Sequence, residues 1–470
     1  MPEPRDELDS WLNVQVKPLL PPPGTFERVS GQARRRRIRR ALLSAGGALA
    51  VAAVVAVVIP ELAIPAHETG RPASAGRVSP APAASRQHPT PETSSPARIP
   101  TPTGRPVPAA SPVQAALSSV PPPLSVTFVG TSTGWVMGQA LPARQCNLAA
   151  APNCVVLQRT DTAETGATSW RTVGAPPAHG PSGPSGVSQV RFLNLSEGWA
   201  FGPDLWATHD GGQSWTQIDT GGLRVIALEA RGDRVFAVWA RCTGKGPAFA
   251  SHCTHFSVYS SSAGTDAWAR MPFTSSRLSL PNVDGAASLV LTGTSVYLLL
   301  PGGHLLTSTL TGVSPPPLAP LSPVATPCEP GPAQPSGQPS GALLAADGSD
   351  LALVCTGPPA GDGQRKTVYA WQNGQDWQPK GTAPSPGTAT SLAESPSGTL
   401  VLATSAGIEV SADGGATWTA ARGARPAGGF AYVGMTTATQ GVAVPADPSR
   451  RAIWFTHDGG STWTASPVGA

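Results

Sequence analysis

The chain has 470 residues and a formal net charge of +4, from 32 basic and 28 acidic side chains. The basic excess lies at one end: residues 1–40 hold nine basic and five acidic side chains, whereas residues 124–470 hold 18 and 20. A domain that binds nucleic acid carries its basic residues on a folded face, so this distribution argues against a nucleic-acid partner.

The first predicted element is a membrane anchor at residues 41–62, preceded by a cytoplasmic tail at residues 1–40. Residues 41–59 carry no charge, and at about 1.5 Å per residue they span roughly 28 Å, close to the thickness of a bilayer core. The arginine cluster at 34–40 favours a cytoplasmic N-terminus and an extracytoplasmic location beyond the anchor. The alternative is a signal peptide cleaved near Ala66, but the tail and the apolar run are both longer than is usual for such peptides. We therefore expect a single-pass protein of the cell membrane.

The tail contains one helix-like segment, residues 6–12, that would place Leu8, Trp11 and Leu12 on one face. Two interpretations stay open. The tail either lies on the membrane, or it docks a cytoplasmic partner, which would make the protein a transmembrane regulator.

Residues 63–120 are predicted to be a disordered spacer rich in Pro, Ala, Ser and Thr. This composition buries no core and favours extended, semi-rigid conformations. At an upper limit of about 3.1 Å per residue, the spacer would reach on the order of 180 Å and lift the following domain away from the membrane.

Residues 121–470 contain an octapeptide that occurs three times: a hydroxyl residue, any residue, Asp, Gly, Gly, any residue, a hydroxyl residue and Trp. The last two copies start 45 residues apart, and a fixed period of about 20–50 residues marks a repeat architecture. The characteristic positions are Thr208, Asp210, Gly212 and Trp215 in the first copy, Ser411, Asp413, Gly415 and Trp418 in the second, and Thr456, Asp458, Gly460 and Trp463 in the third.

Each copy predicts a tight turn between two antiparallel strands. The Asp side chain can accept hydrogen bonds from backbone N–H groups that follow it, and the glycines can adopt the positive φ that such a turn requires. The Trp then begins the next strand with a large apolar side chain. We therefore expect the motif to be structural rather than catalytic.

The octapeptide resembles the Asp-box, or BNR, repeat of bacterial sialidases, sortilin-type receptors and photosystem II assembly factors. In those families it braces the blades of a propeller, remote from any active site. Two Gly-Trp strands, at 134–135 and 198–199, make the pattern most similar to the non-catalytic photosystem II stability and assembly factors. That resemblance implies a binding scaffold that uses a propeller face, with no particular ligand implied.

Strand-like runs recur in sets of four through residues 121–470. Seven units of about 50 residues fit this length, and four-stranded sheets repeated around an axis form a β-propeller. We predict an all-β, seven-bladed propeller, with six or eight blades as alternatives because the fourth unit is weak and residues 313–341 are rich in Pro. Residues 113–117 are the candidate for a strand exchanged between the two ends to close the ring.

All six cysteines lie beyond the predicted anchor. An even number in an exported domain suggests disulfides, and sequential pairing fits the repeat layout best. The predicted pairs are Cys146 with Cys154, Cys242 with Cys253, and Cys328 with Cys355. The chain has no Cys-x-x-Cys spacing and no closely spaced His ligands, so we expect no metal site and no cofactor.

A sialidase-like glycosidase is the alternative function that the resemblance raises. Sialidases need an arginine cluster for the substrate carboxylate, a Tyr nucleophile activated by a Glu, and an Asp as the acid. Their first arginine lies in an Arg-Ile-Pro motif, but residues 98–100, which have that sequence, fall in the spacer. Tyr259, Tyr297 and Tyr369 lie in apolar runs, and only Tyr432 is expected near the central channel, without a recognisable Glu partner. We therefore predict no catalytic residues.

The sequence thus predicts a membrane-anchored, extracytoplasmic propeller that binds a protein or a glycan at the cell surface. Binding residues concentrate on loops that a rigid scaffold positions. We therefore expect the ligand at the longest loops, residues 139–154, 241–255 and 313–341.

Overall fold

The computed structural model describes residues 107–108, 122–139, 154–165, 169–179, 186–243, 253–272, 287–310, 319–328, 341–347, 350–371, 376–447 and 449–469. The predicted tail and anchor, nearly all of the spacer, and the predicted exchanged strand at 113–117 lie outside these ranges. Within them, no helix has the length and apolar character needed to cross a membrane.

The described residues form seven antiparallel sheets, each with four strands that are consecutive in sequence, and one of the seven carries a fifth strand at its edge. These sheets are the blades of a seven-bladed β-propeller, as the repeat predicted. The strands are β1 (Val107–Pro108); β2 (Pro123–Val129), β3 (Thr133–Gln139), β4 (Val155–Thr160) and β5 (Arg171–Val173) in blade 1; β6 (Gln189–Phe192), β7 (Gly198–Phe201), β8 (Leu205–Thr208) and β9 (Ser214–Gln217) in blade 2; β10 (Arg224–Arg231), β11 (Arg234–Cys242), β12 (Cys253–Ser262) and β13 (Ala269–Arg270) in blade 3; β14 (Ser288–Leu291), β15 (Ser295–Leu299), β16 (Leu305–Thr309) and β17 (Ser322–Val324) in blade 4; β18 (Gly341–Asp347), β19 (Asp350–Ala360), β20 (Gly363–Trp371) and β21 (Gln378–Ala383) in blade 5; β22 (Ala389–Glu394), β23 (Leu400–Thr404), β24 (Gly407–Ser411) and β25 (Thr419–Ala420) in blade 6; and β26 (Phe430–Met435), β27 (Gly441–Pro445), β28 (Ala452–Thr456) and β29 (Thr464–Pro467) in blade 7.

Each blade starts at the central channel and ends at the rim of the ring. The first strands of successive blades contact one another around the channel, from β2 and β6 through to β22 and β26. The middle strands are covered on both faces by neighbouring blades, and β7 is therefore buried at every position. This burial explains why the middle strands appear in the sequence as continuous apolar runs rather than alternating ones.

Aromatic side chains fill the seams between blades. Trp135 of blade 1 stacks on Phe192 of blade 2 with ring centroids 3.9 Å apart, and Trp215 completes the same buried cluster. In the next seam, Trp199 of blade 2 and Trp239 of blade 3 are fully buried in a second cluster. Each large ring removes on the order of 150–250 Å² from water, so the seams are the hydrophobic core of the propeller.

The ring closes by packing of its last blade against its first. Val126 of β2 lies in one buried cluster with Val442 of β27 and Ile453 of β28. The Gln440 side-chain amide also donates a hydrogen bond of 2.6 Å to the Thr131 carbonyl oxygen. Blade 7 is completed by its own strand β29, so this closure needs no strand exchange among the described residues.

Strand β1 lies instead at the rim of blade 2. It pairs antiparallel with β9, with Val107 opposite Trp215 and Pro108 opposite Ser214, and makes blade 2 five-stranded. A short stretch within the predicted spacer thus pairs with the outer edge of the second blade.

The two faces of the ring carry different turns. The box face carries the turn between the first and second strands of each blade and the turn between the third and fourth, which includes the octapeptides. In blade 2 these two turns meet, because the Gly211 N–H donates to the Ser196 carbonyl oxygen at 2.9 Å. The opposite face carries the turns between second and third strands and the connections between blades.

Two of the three predicted disulfides are present in the described residues. Cys242 and Cys253 join the end of β11 to the start of β12 within blade 3. Cys328 and Cys355 join the connection after β17 to strand β19 of the following blade. Cys146 lies outside the described residues, so its pairing with Cys154 stays a prediction.

Candidate functional site

The octapeptide of blade 2 folds into a turn around the Asp210 carboxylate. Its Oδ1 accepts hydrogen bonds from the Gln213 N–H at 2.8 Å, the Ser214 N–H at 2.9 Å and the Thr208 hydroxyl at 2.8 Å, while Oδ2 accepts from the Ser214 hydroxyl. Slight burial alone would raise the pKa of Asp210, but these hydrogen bonds to the charged form lower it below its usual value. All of these donors belong to the same turn, so the carboxylate serves to hold that turn together.

The other two octapeptides repeat this geometry. Asp413 accepts from the Thr417 hydroxyl at 2.6 Å and the Ser411 hydroxyl at 2.8 Å, and Asp458 accepts from the Thr462 hydroxyl at 2.6 Å and the Thr456 hydroxyl at 2.9 Å. Hydrogen bonds from the Thr417 side chain and backbone lower the pKa of Asp413 to about 2. Such carboxylates stay ionised and hydrogen-bonded at neutral pH, which suits a brace and not an acid catalyst.

The tryptophans of the octapeptides join this brace to the core. Trp215 is fully buried in the seam to blade 1, and its Nε1–H donates to the Gly174 carbonyl oxygen at 3.4 Å. In the other two copies the indole donates to a glycine carbonyl oxygen within the turn, Trp418 to Gly415 and Trp463 to Gly460. Both of these tryptophans precede the fourth strand by one residue, whereas Trp215 lies within β9.

A cavity of about 460 Å³ lies at the mouth of the central channel, on the box face. Its walls come from the ends of the first strands of blades 1, 2, 3 and 7 and from the turns that follow them. We call it the channel-mouth cavity and define it by Phe128, Arg191, Phe192, Glu229, Tyr432 and Met435. A volume of this size is typical of ligand pockets, which run from about 300 to 1,000 Å³.

The Gly-Trp strands shape two walls of this cavity. Phe128 pairs across β2 and β3 with Gly134, and Phe192 pairs across β6 and β7 with Gly198. A Cβ atom at Gly134 would lie 2.3 Å from the Phe128 ring, and one at Gly198 would lie 2.5 Å from the Phe192 ring. Each glycine therefore lets a phenyl ring lie over the neighbouring strand. The Phe128 ring is half-buried at the cavity, whereas the Phe192 ring is buried and stacked on Trp135.

An ion pair between two blades forms the polar part of the cavity. Arg191 Nη2 of blade 2 donates to Glu229 Oε1 of blade 3 at 2.6 Å. Burial alone would lower the pKa of Arg191, but Glu229 and the nearby Tyr432 raise it above its ordinary value, so the guanidinium keeps its charge. Burial raises the pKa of Glu229, and Arg191 offsets only part of that rise. Tyr432 of blade 7 approaches the pair from across the channel mouth.

The sequence predicted only one member of this group. Tyr432 was expected near the channel, whereas Arg191 and Glu229 lie on different blades, 38 residues apart, and share no motif. The one available signal is alternation in β6, where Val190 and Phe192 are buried and Arg191 is only half-buried. The remaining tyrosines pack in the core as predicted: Tyr259 stacks on Trp239, Tyr297 is 8% exposed, and Tyr369 packs against the blade 4–blade 5 cluster.

Two of the predicted binding loops, 139–154 and 241–255, connect second and third strands and so belong to the opposite face, whereas residues 313–341 include strand β17 and the chain on both sides of it. Large parts of loops 139–154, 241–255 and 313–341 fall outside the described residues, so binding at these loops stays a prediction. Within the described ranges, no group of three His, Cys, Asp or Glu side chains is arranged to hold a metal ion. The channel-mouth cavity is therefore the candidate site that the described residues define.

No protein-family model and no curated protein matches the chain. Solved structures to which the chain is similar include YCF48 bound to D1 peptide, with 17% identity, a TM-score of 0.39, and coverage of 59% of this chain and 79% of that one. They also include PorZ, a surface component of the type-IX secretion system of Porphyromonas gingivalis, with 11% identity, a TM-score of 0.43, and coverage of 75% and 39%. An ancestral GH74 enzyme matches with 14% identity, a TM-score of 0.37, and coverage of 73% and 50%. At these identities the similarity concerns the fold alone; the strand pairings define this chain as a seven-bladed β-propeller.

Proposed function

We propose that this chain is a binding protein that holds a polypeptide partner at the channel-mouth cavity. In this proposal residues 41–62 anchor the chain in the cell membrane and the propeller lies on the extracytoplasmic side. In the same proposal the chain is an Asp-box propeller of the binding-scaffold type, as the resemblance of its octapeptides implies. The disulfides Cys242–Cys253 and Cys328–Cys355 support an oxidising compartment, because such bonds persist mainly in exported domains.

The observation that carries the proposal is the composition of the cavity. Arg191, Glu229 and Tyr432 offer hydrogen-bond donors and acceptors, and Phe128 and Met435 offer apolar contact beside them. Arg, Tyr, Phe and Met are enriched in protein interfaces, and Arg and Tyr are among the residues that contribute most to binding energy. Glycans stay a second ligand class that the sequence leaves open; we favour a polypeptide because Arg, Tyr, Phe and Met side chains line the cavity together.

The rim of the cavity adds an apolar contact point. Leu193 lines the cavity, and Leu195, two residues further along the same turn, is 51% exposed. Among the described residues it is the one large apolar side chain that is exposed to this degree. A partner that enters the cavity would cover this side chain.

Site-specific photo-crosslinking in cells tests the proposal. A photo-reactive residue replaces Leu195 in the full chain, and a matched control carries it at Asp219, an exposed position in the connection from blade 2 to blade 3 on the opposite face. We expect one protein species to be captured from position 195 and not from 219. The capture should fall at least about fivefold when Tyr432→Phe is added, since a central interface residue contributes about 1 kcal/mol or more.

Capture from both positions alike, or capture from position 195 that Tyr432→Phe and Met435→Ala leave unchanged, would contradict binding at the cavity. Protease protection of the propeller in intact cells, compared with permeabilised cells, tests the extracytoplasmic location. Digestion only after permeabilisation would contradict it.

A second candidate function is glycoside hydrolysis, and one observation favours it. The structure brings Tyr432 together with Arg191 and Glu229, whereas sequence reasoning found no Glu near this tyrosine. In the sialidases that the octapeptide resembles, a Tyr nucleophile is activated by a Glu; here Glu229 is paired with Arg191 instead. Turnover of a fluorogenic sialoside by the purified chain, abolished by Tyr432→Phe, would establish hydrolysis and displace the binding proposal.

A further inference from the structure

Three ionisable side chains bridge blades 2 and 3 on the box face. His209 is the second residue of the blade 2 octapeptide. Its Nδ1 is hydrogen-bonded to Glu197 Oε2 in the turn between β6 and β7, and its Nε2 lies 2.8 Å from Asp266 Oδ2 in the turn between β12 and β13. One imidazole ring thus joins two carboxylates that belong to different blades.

We infer that His209 is a positioning residue, which fixes the turn of residues 193–197 at the rim of the channel-mouth cavity by tying it to blade 3. We call residues 193–197 the rim turn. The inference rests on the proposed function in one respect, namely that the rim turn contacts the partner.

Hydrogen bonds within the rim turn link the position of Glu197 to that of Leu193 at the cavity. The Leu193 N–H donates to the Glu197 carbonyl oxygen at 2.9 Å, and Asn194 Oδ1 accepts from the N–H groups of Ser196 and Glu197, both at 2.8 Å. Leu193 itself lines the cavity. Because these bonds close the turn on itself, a shift of Glu197 moves the cavity wall with it.

Asp266 explains why the bridge exists in this seam. The blade 3 turn is a decayed octapeptide with Ala263 at the place of Asp210, so it lacks the internal acceptor of an intact copy. Asp266 is 7% exposed, has a left-handed φ of 50°, and makes no hydrogen bond through Oδ1 within the described residues. A carboxylate buried in this way is costly without a cation beside it, and His209 of blade 2 supplies that cation.

The charged groups around His209 are all acidic. Glu197 faces it from the rim turn, Asp266 faces it from blade 3, and Asp210 follows it in its own turn. Asp233, in the turn between β10 and β11, joins the same blade 3 turn by accepting the Ala263 N–H through its backbone carbonyl oxygen at 2.8 Å. The hydrogen bond to Asp266 raises the pKa of His209 to about 9, with partial burial opposing and Glu197 adding to the rise. The ring is therefore a cation at neutral pH.

Blade 7 provides a matched control. His457 occupies the same position of an intact octapeptide, but its ring lies beside Phe455, with centroids 6.3 Å apart. Within the described residues it forms no ion pair with a neighbouring blade. Replacing it removes the same side chain from the same kind of turn without breaking a bridge.

Hydrogen exchange of the full-length protein tests the bridge without any partner. Backbone amides of the rim turn are compared in the wild type, His209→Gln and His457→Gln at pH 7. We expect the protection of residues 193–197 to fall about fivefold or more in His209→Gln and to stay within about twofold in His457→Gln. Asp266→Asn should reproduce the effect of His209→Gln, and the double variant should add little to either.

The pH profile supplies a second readout that a merely space-filling residue would not show. After correction for intrinsic exchange, the rim turn of the wild type should lose protection as the pH rises from about 6.5 to about 9, because over this range His209 is protonated in the bridge but neutral when the turn opens. His209→Gln should be flat over this range. Unchanged protection in His209→Gln, or a wild-type profile without this step, would overturn the inference.

The two proposals can fail separately. If the rim turn loosens in His209→Gln and the capture from position 195 falls with it, the positioning role is established. If the turn loosens and the wild type captures no protein at position 195, binding at the cavity fails while the bridge stands. If capture is undiminished although the turn has loosened, the positioning role is wrong.

Discussion

Lys366, which is completely buried, donates a hydrogen bond of 2.8 Å from its Nζ to the Pro384 carbonyl oxygen. Its ammonium group also lies within 3.2 Å of three further carbonyl oxygens, those of Gln364, Ser385 and Pro386. Burial lowers the pKa of Lys366, and Glu409 opposes that shift. The side chain of Lys366 in blade 5 thus holds the connection to blade 6 by donating hydrogen bonds to its carbonyl oxygens.

We expect Lys366→Met to destabilise the propeller by roughly 2–4 kcal/mol, because it leaves several carbonyl oxygens without a donor in a buried site. Lys380→Met is the control, since Lys380 lies on β21 of the same blade and is only half-buried. Urea unfolding followed by tryptophan fluorescence measures both. Equal midpoints for the two variants would contradict the role of the carbonyl cage.

The two glycines of the blade 6 octapeptide should respond differently to alanine. Both have positive φ, 70° at Gly414 and 99° at Gly415. A Cβ atom at Gly414 meets nothing within 4 Å, whereas one at Gly415 would lie 2.5 Å from Val368 Cγ1 in blade 5.

We therefore expect Gly414→Ala to cost about 1 kcal/mol from backbone strain alone. Gly415→Ala should cost roughly 2–4 kcal/mol, because overpacking adds to the strain. Thermal unfolding of the two variants measures the difference. A larger loss of stability in Gly414→Ala would contradict this expectation. It would mean that backbone strain in the turn, and not the contact with Val368 of blade 5, determines the cost of these substitutions.

Stability should fall as pH rises through the range set by His209. The pKa of this group is raised to about 9 in the folded protein, from about 6.5 in an unfolded chain. Its contribution is therefore complete below about pH 6.5 and is lost as pH rises from there to about 9.

Because the side chain is 36% exposed, solvent screening reduces this contribution to about 1–2 kcal/mol. Chemical denaturation at pH 6.5 and pH 9.5 should show the loss in the wild type, and His209→Gln should show much less of it. A wild type that is equally stable at both pH values would contradict the charged bridge.

Breaking the ion pair of the cavity from one side should cost more than removing it entirely. Arg191→Met leaves Glu229 half-buried without its cation, and we expect a loss of roughly 2–4 kcal/mol. The double variant Arg191→Met/Glu229→Met should recover at least about half of that loss, because neither charge is then buried alone. Denaturant unfolding of the four proteins in this cycle gives the coupling energy. Additive losses would show that the two side chains act independently.

The fold was largely predictable because the propeller repeats its signals. Three octapeptides and two Gly-Trp strands marked the repeat, and the seven predicted units correspond to the seven blades. The first strand of blade 3, Arg224–Arg231, gives a weak sequence signal because charged residues interrupt its second half at Glu229 and Arg231. Strand β17 was hidden by prolines, since Pro323 lies inside it at the rim, where a missing N–H does no harm.

The site was harder to predict than the fold for a geometric reason. A cavity on the axis of a ring takes one or two residues from each blade, so its members are separated by a whole repeat. Arg191 and Glu229 meet only because β6 and β10 are neighbours around the channel, and the 38-residue separation carries no motif. The His209 bridge was missed for the same reason, although its imidazole lies inside the motif that the sequence singled out.

The closure of the ring has a mechanical consequence. Blades 1 and 7 are the two neighbours that no stretch of backbone joins, and their seam depends on side chains such as Val126 and Ile453 and on the bond from Gln440 to Thr131. In the other six seams the backbone also joins the two blades, whereas this seventh seam is held by side-chain packing and hydrogen bonds alone. A force that draws the propeller open should part it there first, with the other blades still folded.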